Sequence, residues 1–136
     1  CDAITNASML CLYAGTGSDK QKNYTIKHCE RILDNCVYGM PSVDPKHKKF
    51  ESERYWRGPV WSIMNYMISH GLEHEGEYSL AKRIKDDTIK LIEVGGMYEY
   101  FNPHTGKGLG GQNFSWTAAI LLVLERDSSN LKFTNN

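Results

Sequence analysis

At 136 residues, with 16 basic and 16 acidic side chains and a formal net charge of zero, the chain has the size of one domain and no electrostatic footprint for nucleic acid or an anionic membrane. Its longest apolar run, AAILLVL at 118–124, is too short to span a bilayer, and no basic-then-apolar leader opens the chain. The four cysteines, at 1, 11, 29 and 36, form no C-x-x-C pair and meet no zinc spacing, so no metal or cofactor is expected.

Apolar positions at Ile4, Ala7, Leu10, Cys11 and Ala14 predict a first helix over 3–14, stopped by Gly15. Ser18 and Gln21 make a capping box for a second, whose stripe is Cys29, Ile32, Leu33 and Cys36. Those two cysteines read as reduced core residues. Gly58 and Pro59 suit the start of a third helix, apolar on nearly all sides at Val60, Trp61, Ile63, Met64, Met67, Ile68 and Leu72. The fourth, about 77–94, is amphipathic, with Leu80, Ile84, Thr88, Leu91 and Ile92 inward and Lys82, Lys85, Asp86 and Lys90 outward. The fifth begins near Asn113 or Ser115 and ends at about Arg126, leaving 127–136 as a polar tail. Three N-x-S/T sequons, at Asn6, Asn23 and Asn113, are taken as chance in a chain rich in these residues.

Strand signals are few, so the expected class is all-α. Two long loops interrupt it: 25 residues from Val37 to Trp61, and about 15 around Glu99. Aromatic residues in the first argue against disorder. A helix apolar on all faces needs neighbours that five helices do not supply. Residues 1–126 are therefore expected to be the C-terminal part of a larger helical domain, with a tight five-helix bundle as the alternative.

Within RYWRGPVWSIMNY, Trp56 and Trp61 offer flat apolar faces, while Tyr55, Arg57 and Asn65 offer hydrogen bonds. Sugars carry both C–H faces and hydroxyl edges, and a pocket for them wants that mixture. GGMYEYFNPHTGKGLGG sets one carboxylate, Glu99, among aromatic residues at the lip of a loop. Such company makes a carboxylate a better proton acceptor.

YGMPSV, YWRGPVW, YEYFNPHTGKGLG and NFSWTAAILL occur in this order, and the series resembles the C-terminal part of family 63 glycoside hydrolases, over roughly residues 5–125. That family includes processing α-glucosidases and hydrolases of mannosylglycerate and glucosylglycerate. MYEYF is also similar to a segment of family 37 trehalases. The resemblance implies an (α/α)6 barrel, twelve helices in two concentric rings, of which about five are present here. It implies an inverting hydrolase of an α-linked glucoside or mannoside. Glu99 is then the general base, Trp56 and Trp61 line the sugar pocket, Trp116 belongs to the closing loop and helix, and Tyr55 and Arg57 are further pocket members. The family's general acid is an aspartate in a motif like E-S-G-x-D-x-S-P. No aspartate of this chain has that context, so the acid and the remaining barrel helices are expected upstream, and the isolated chain should be inactive. A helical carbohydrate-binding or scaffolding domain without catalysis is the other reading. Unpaired cysteines and a likeness closer to bacterial members imply a cytoplasmic protein whose partners are carbohydrate and the rest of its barrel.

Three decoys carry less. GKGLGG at 106–111 lacks the strand and lysine context of a phosphate loop, so its glycines are expected to turn the chain at the pocket mouth. His70 and His74 share a helix face but lack a third ligand. DPKHKKF reads as a solvated loop tip.

Overall fold

A computed structural model describes residues 2–133, with side chains described through Asp127. A 3₁₀ turn, Asn6–Met9, runs into α1, Leu10–Tyr13; then follow α2, Asp19–Leu33, α3, Ser62–His74, and α4, Tyr78–Gly95. A hairpin of β1, Tyr98–Phe101, and β2, Gly108–Gln112, precedes α5, Ser115–Phe133. The five helices meet the all-α expectation, to which the hairpin adds one small antiparallel sheet. Among the described residues no helix is long and apolar enough to cross a membrane.

The first helix is shorter than its pattern promises. Its buried residues are Asn6, Met9 and Leu12, whereas Ala7 and Ala14 face solvent and Leu10 and Cys11 are half-buried. A spacing of three follows from the 3₁₀ start, which turns every three residues and shifts the inward face away from the α-helical stripe. In α2 the capping box forms in both directions: Gln21 N donates to Ser18 Oγ, and Ser18 N donates to Gln21 Oε1 at 2.9 Å. Its stripe Cys29, Ile32 and Leu33 is buried, and Cys36 is buried just past the helix end. Burial pushes both thiols up to about 12, so they stay protonated and inert.

α3 is the central helix, packed against α1, α4 and α5. It does not begin at Pro59. Val60 N donates to Phe101 O at 2.8 Å and Phe101 N to Val60 O at 2.9 Å, so Val60 is extended and Trp61 is the residue before the helix. Backbone committed to a strand partner cannot also open a helix. At Gly71 a Cβ would come within 2.5 Å of Tyr13 N, so α1 crosses α3 at backbone distance. Asn65 is not available to a ligand. It is 1% exposed, accepts from Met40 N at 3.0 Å and donates to Thr88 Oγ1 at 2.9 Å, fastening the 37–61 segment to α3 and α4.

α4 buries Ala81, Ile84, Thr88, Leu91 and Ile92 as its pattern required, with Leu80 half-buried; Lys85 folds back onto Glu73 at 2.6 Å instead of reaching solvent. α5 runs past Arg126 to Phe133, because an established helix adds one hydrogen bond per residue and crosses sequence of indifferent propensity. Residues 134–136 of the expected tail lie outside the described residues. One buried cluster, including Met9, Leu12, Ile32, Leu33, Met40, Ile68, Leu72 and Ile84, joins the first three helices to α4; a second, Val60, Leu91, Ile92 and Phe101, seats the hairpin.

Asp44 ties the long segment to α2. It accepts from Arg31, and from Lys46 N at 3.0 Å. Burial alone would raise its pKa, but Arg31 and the Lys46 amide outweigh burial and hold it below the ordinary aspartate value. A carboxylate with a lowered folded pKa contributes stability above its unfolded pKa and loses it as pH falls. Asp44→Asn should therefore cost about 1 kcal/mol at pH 7, since solvent screens the Arg31 side of the pair. The difference from the parent should fade as pH drops below about 4, as urea unfolding at several pH values would show.

Candidate active site

Glu99 lies on β1 opposite a break in strand register. Tyr98 pairs with Gln112 and Tyr100 with Leu109, so Gly110 and Gly111 together face Glu99. This is a β-bulge with a glycine, Gly110, at φ +75°. Only glycine fits there: a Cβ on Gly110 would lie 2.6 Å from Glu99 Oε2 and 2.6 Å from the Tyr100 ring. The glycines of GKGLGG thus make room for a carboxylate. Gly111 N donates to Glu99 Oε2 at 3.2 Å, and Tyr55 Oη donates to Glu99 Oε1 at 3.3 Å. A carboxylate accepts at about four lone-pair positions, so capacity remains for a water or a substrate hydroxyl.

An aromatic cluster adjoins this group through Tyr55, whose hydroxyl donates to it. Trp56 stacks on Trp61 with centroids 4.1 Å apart and planes 5° apart, and Tyr100 stacks on Trp61 at 4.8 Å. Two rings that close, with no ring contact to each other, must cover opposite faces of Trp61. Tyr55 meets Trp61 edge-on at 5.0 Å and Tyr100 at 5.3 Å, while Trp116 approaches Trp61 at 6.0 Å from the first turn of α5. The two tryptophans of YWRGPVW therefore differ. Trp61 is 1% exposed with both faces occupied, and its buried Nε1–H has no acceptor among the described residues. Trp56 is 47% exposed and Trp116 36%, so these two present surface.

Arg57 stands apart from the carboxylate. Its guanidinium binds the Glu51 carboxylate and the Lys49 carbonyl, bracing the loop that carries Tyr55 and Trp56. Lys107 and Asn102, at the hairpin turn, both reach Glu53 and fasten the same loop from the other side. The start of α5 is anchored too: Thr117 Oγ1 donates to Tyr98 O at 2.7 Å and lies 3.3 Å from Ser62 Oγ. Tyr100 and Gly111 were not singled out from sequence; the signals were the aromatic after Glu99 and the paired glycines. His70 Nδ1 lies 3.3 Å from Glu73 and its ring packs on Tyr66, while His74 is exposed; among the described residues no three metal-ligating side chains converge. A groove of about 660 Å³ runs along α2, bordered by Cys11, Lys20, Gln21, Tyr24 and Thr25, and touches none of the residues around Glu99.

A carboxylate with lone pairs to spare, linked through Tyr55 to an aromatic cluster with two exposed indoles, has the parts of a carbohydrate site. The family described as mannosylglycerate hydrolase MGH1-like glycoside hydrolase domain matches residues 1–117. Mannosylglycerate hydrolase MGH1 of Selaginella moellendorffii is 47% identical over 121 residues, covering 89% of this chain and 25% of that protein. A mannosylglycerate hydrolase of Thermus thermophilus is 43% identical over 122 residues, covering 90% of this chain and 29% of that one. A crystal structure of a family 63 mannosylglycerate hydrolase from the same species, in complex with Tris and D-glycerate, matches with a TM-score of 0.86 at 42% identity, covering 89% of this chain and 29% of that chain. The chain belongs to this MGH1-like glycoside hydrolase family, within family 63. It spans between a quarter and a third of the length of these relatives.

Proposed function

We propose that the chain is the C-terminal part of an (α/α)6 catalytic domain that hydrolyses an α-linked mannoside or glucoside with inversion, and that Glu99 is its general base. Water lodged against Glu99 gives up a proton to the carboxylate as its oxygen attacks the anomeric carbon. The bond from that carbon to the aglycone oxygen breaks, and an acid supplied by the rest of the domain protonates the departing oxygen. In inverting enzymes the two carboxyl groups stand about 6.5–9.5 Å apart, leaving room for that water. Trp56 and Trp116 offer faces to sugar C–H groups, Trp61 supports Trp56 from beneath, and Arg57 holds the loop that presents Trp56.

The observation that carries this reading is the doubly held Glu99 carboxylate at the edge of the aromatic cluster, in a chain whose relatives are named mannosylglycerate hydrolases. The complete protein should release β-mannose first from α-mannosylglycerate, before mutarotation, as proton NMR of the anomeric signals would show. Release of α-mannose first would exclude direct displacement by a water that Glu99 deprotonates, and with it the role given to Glu99.

A further inference from the structure

We infer that Tyr55 is a positioning residue for the general base: its phenol and the Gly111 amide each hold one oxygen of Glu99 and fix the plane in which the carboxylate receives the water proton. This rests on the base role proposed for Glu99 above.

The two donors come from separate parts of the chain. Gly111 is on the strand paired with β1, but Tyr55 is 44 residues away in sequence. The loop at 51–57 is closed at its neck, where Glu51 N donates to Arg57 O at 2.8 Å and the Arg57 guanidinium returns to the Glu51 carboxylate. Gly58 permits the closure, since a Cβ there would come within 2.1 Å of Glu51 O. Tyr55 itself has φ +30°, a conformation that side chains other than glycine adopt at a cost. Strained backbone persists where its surroundings over-determine it, and such places cluster at functional sites.

Here Trp56, Trp61 and Tyr100 all meet the Tyr55 ring edge-on and leave its hydroxyl aimed at Glu99. A phenol has a single proton, and this one is committed to the carboxylate. Desolvation among the rings, and then the charge of Glu99, hold the Tyr55 pKa above its ordinary value, so the group remains a donor at neutral and mildly alkaline pH. Held at both oxygens, Glu99 meets water in one orientation, and orientation sets the rate of proton transfer.

Tyr55→Phe in the complete protein keeps every ring contact and removes only the donor. With α-mannosylglycerate, kcat should fall about tenfold, with KM within about twofold and the melting temperature unchanged. The distinguishing arm uses Glu99→Ala with α-mannosyl fluoride and azide, where no base is needed. Adding Tyr55→Phe there should change the rate of azide transfer by less than about twofold, because the carboxylate it serves is gone. An unchanged kcat, a loss expressed in KM, or an equal loss in the azide reaction would each overturn the positioning role and make Tyr55 a substrate contact or a bystander. If Glu99→Ala alone left hydrolysis intact, the base assignment would fail instead, and the two failures are distinguishable.

Discussion

Glu99→Ala in the complete protein should lower glycoside hydrolysis by on the order of 10²–10⁴ and leave substrate affinity and melting temperature nearly unchanged. The reason lies in what Glu99 touches. It is half-buried at a hairpin edge, and its carboxylate is held by one phenol and one backbone amide. It joins no ion pair among the described residues and takes no part in either buried cluster, so its loss removes little that stabilises the fold. In the proposed site, sugar recognition rests on the exposed aromatic surfaces of Trp56 and Trp116, which the substitution leaves in place. A rate loss without a binding loss is the signature of an interaction made only in the transition state.

Trp61→Ala should act the other way, through stability. Trp61 is 1% exposed, lies between Trp56 and Tyr100, and meets Tyr55 and Trp116 at its edges, so its removal opens a cavity beneath four rings. Truncation of a large buried aromatic costs about 3–5 kcal/mol, and urea unfolding of the complete protein should show a loss of that size. Trp56→Ala is the contrasting variant. Its ring is 47% exposed, so it should lose less stability and more substrate affinity. Equal losses of stability in the two variants would contradict the division of the pair into support and sugar face.

Much of the scaffold was legible because the signals were local. Ser18 and Gln21 lie three residues apart and cap α2 as read, and the stripe of α4 needed nothing beyond its own periodicity. The hairpin was not legible: β2 is GLGGQ, a sequence with low strand propensity that pairs because β1 and a bulge require it. The start of α3 was misread because the chemistry of Pro59 is local, while the pairing of Val60 with Phe101 is 41 residues distant. Asn65 had the right chemistry for a sugar ligand, but the fold spends both ends of its amide inside, on Met40 and Thr88. Glu99 stood out as a charge in aromatic company, and the motif series placed it in a family. Its contact with Tyr55 depends on a loop folding back across the molecule, which no spacing in the sequence reveals.

The role of Glu99 is tested most directly by chemical rescue of Glu99→Ala in the complete protein. In the mechanism proposed above, the missing carboxylate leaves a space on the face from which water attacks, opposite the leaving group. Azide needs no deprotonation, so it should enter there and restore turnover of an α-glycoside with a good leaving group. Attack from that face inverts the anomeric centre, and NMR should find the β-glycosyl azide. An α-glycosyl azide would mean two displacements through a glycosyl-enzyme intermediate on another carboxylate, and would contradict the single inverting attack assigned to Glu99.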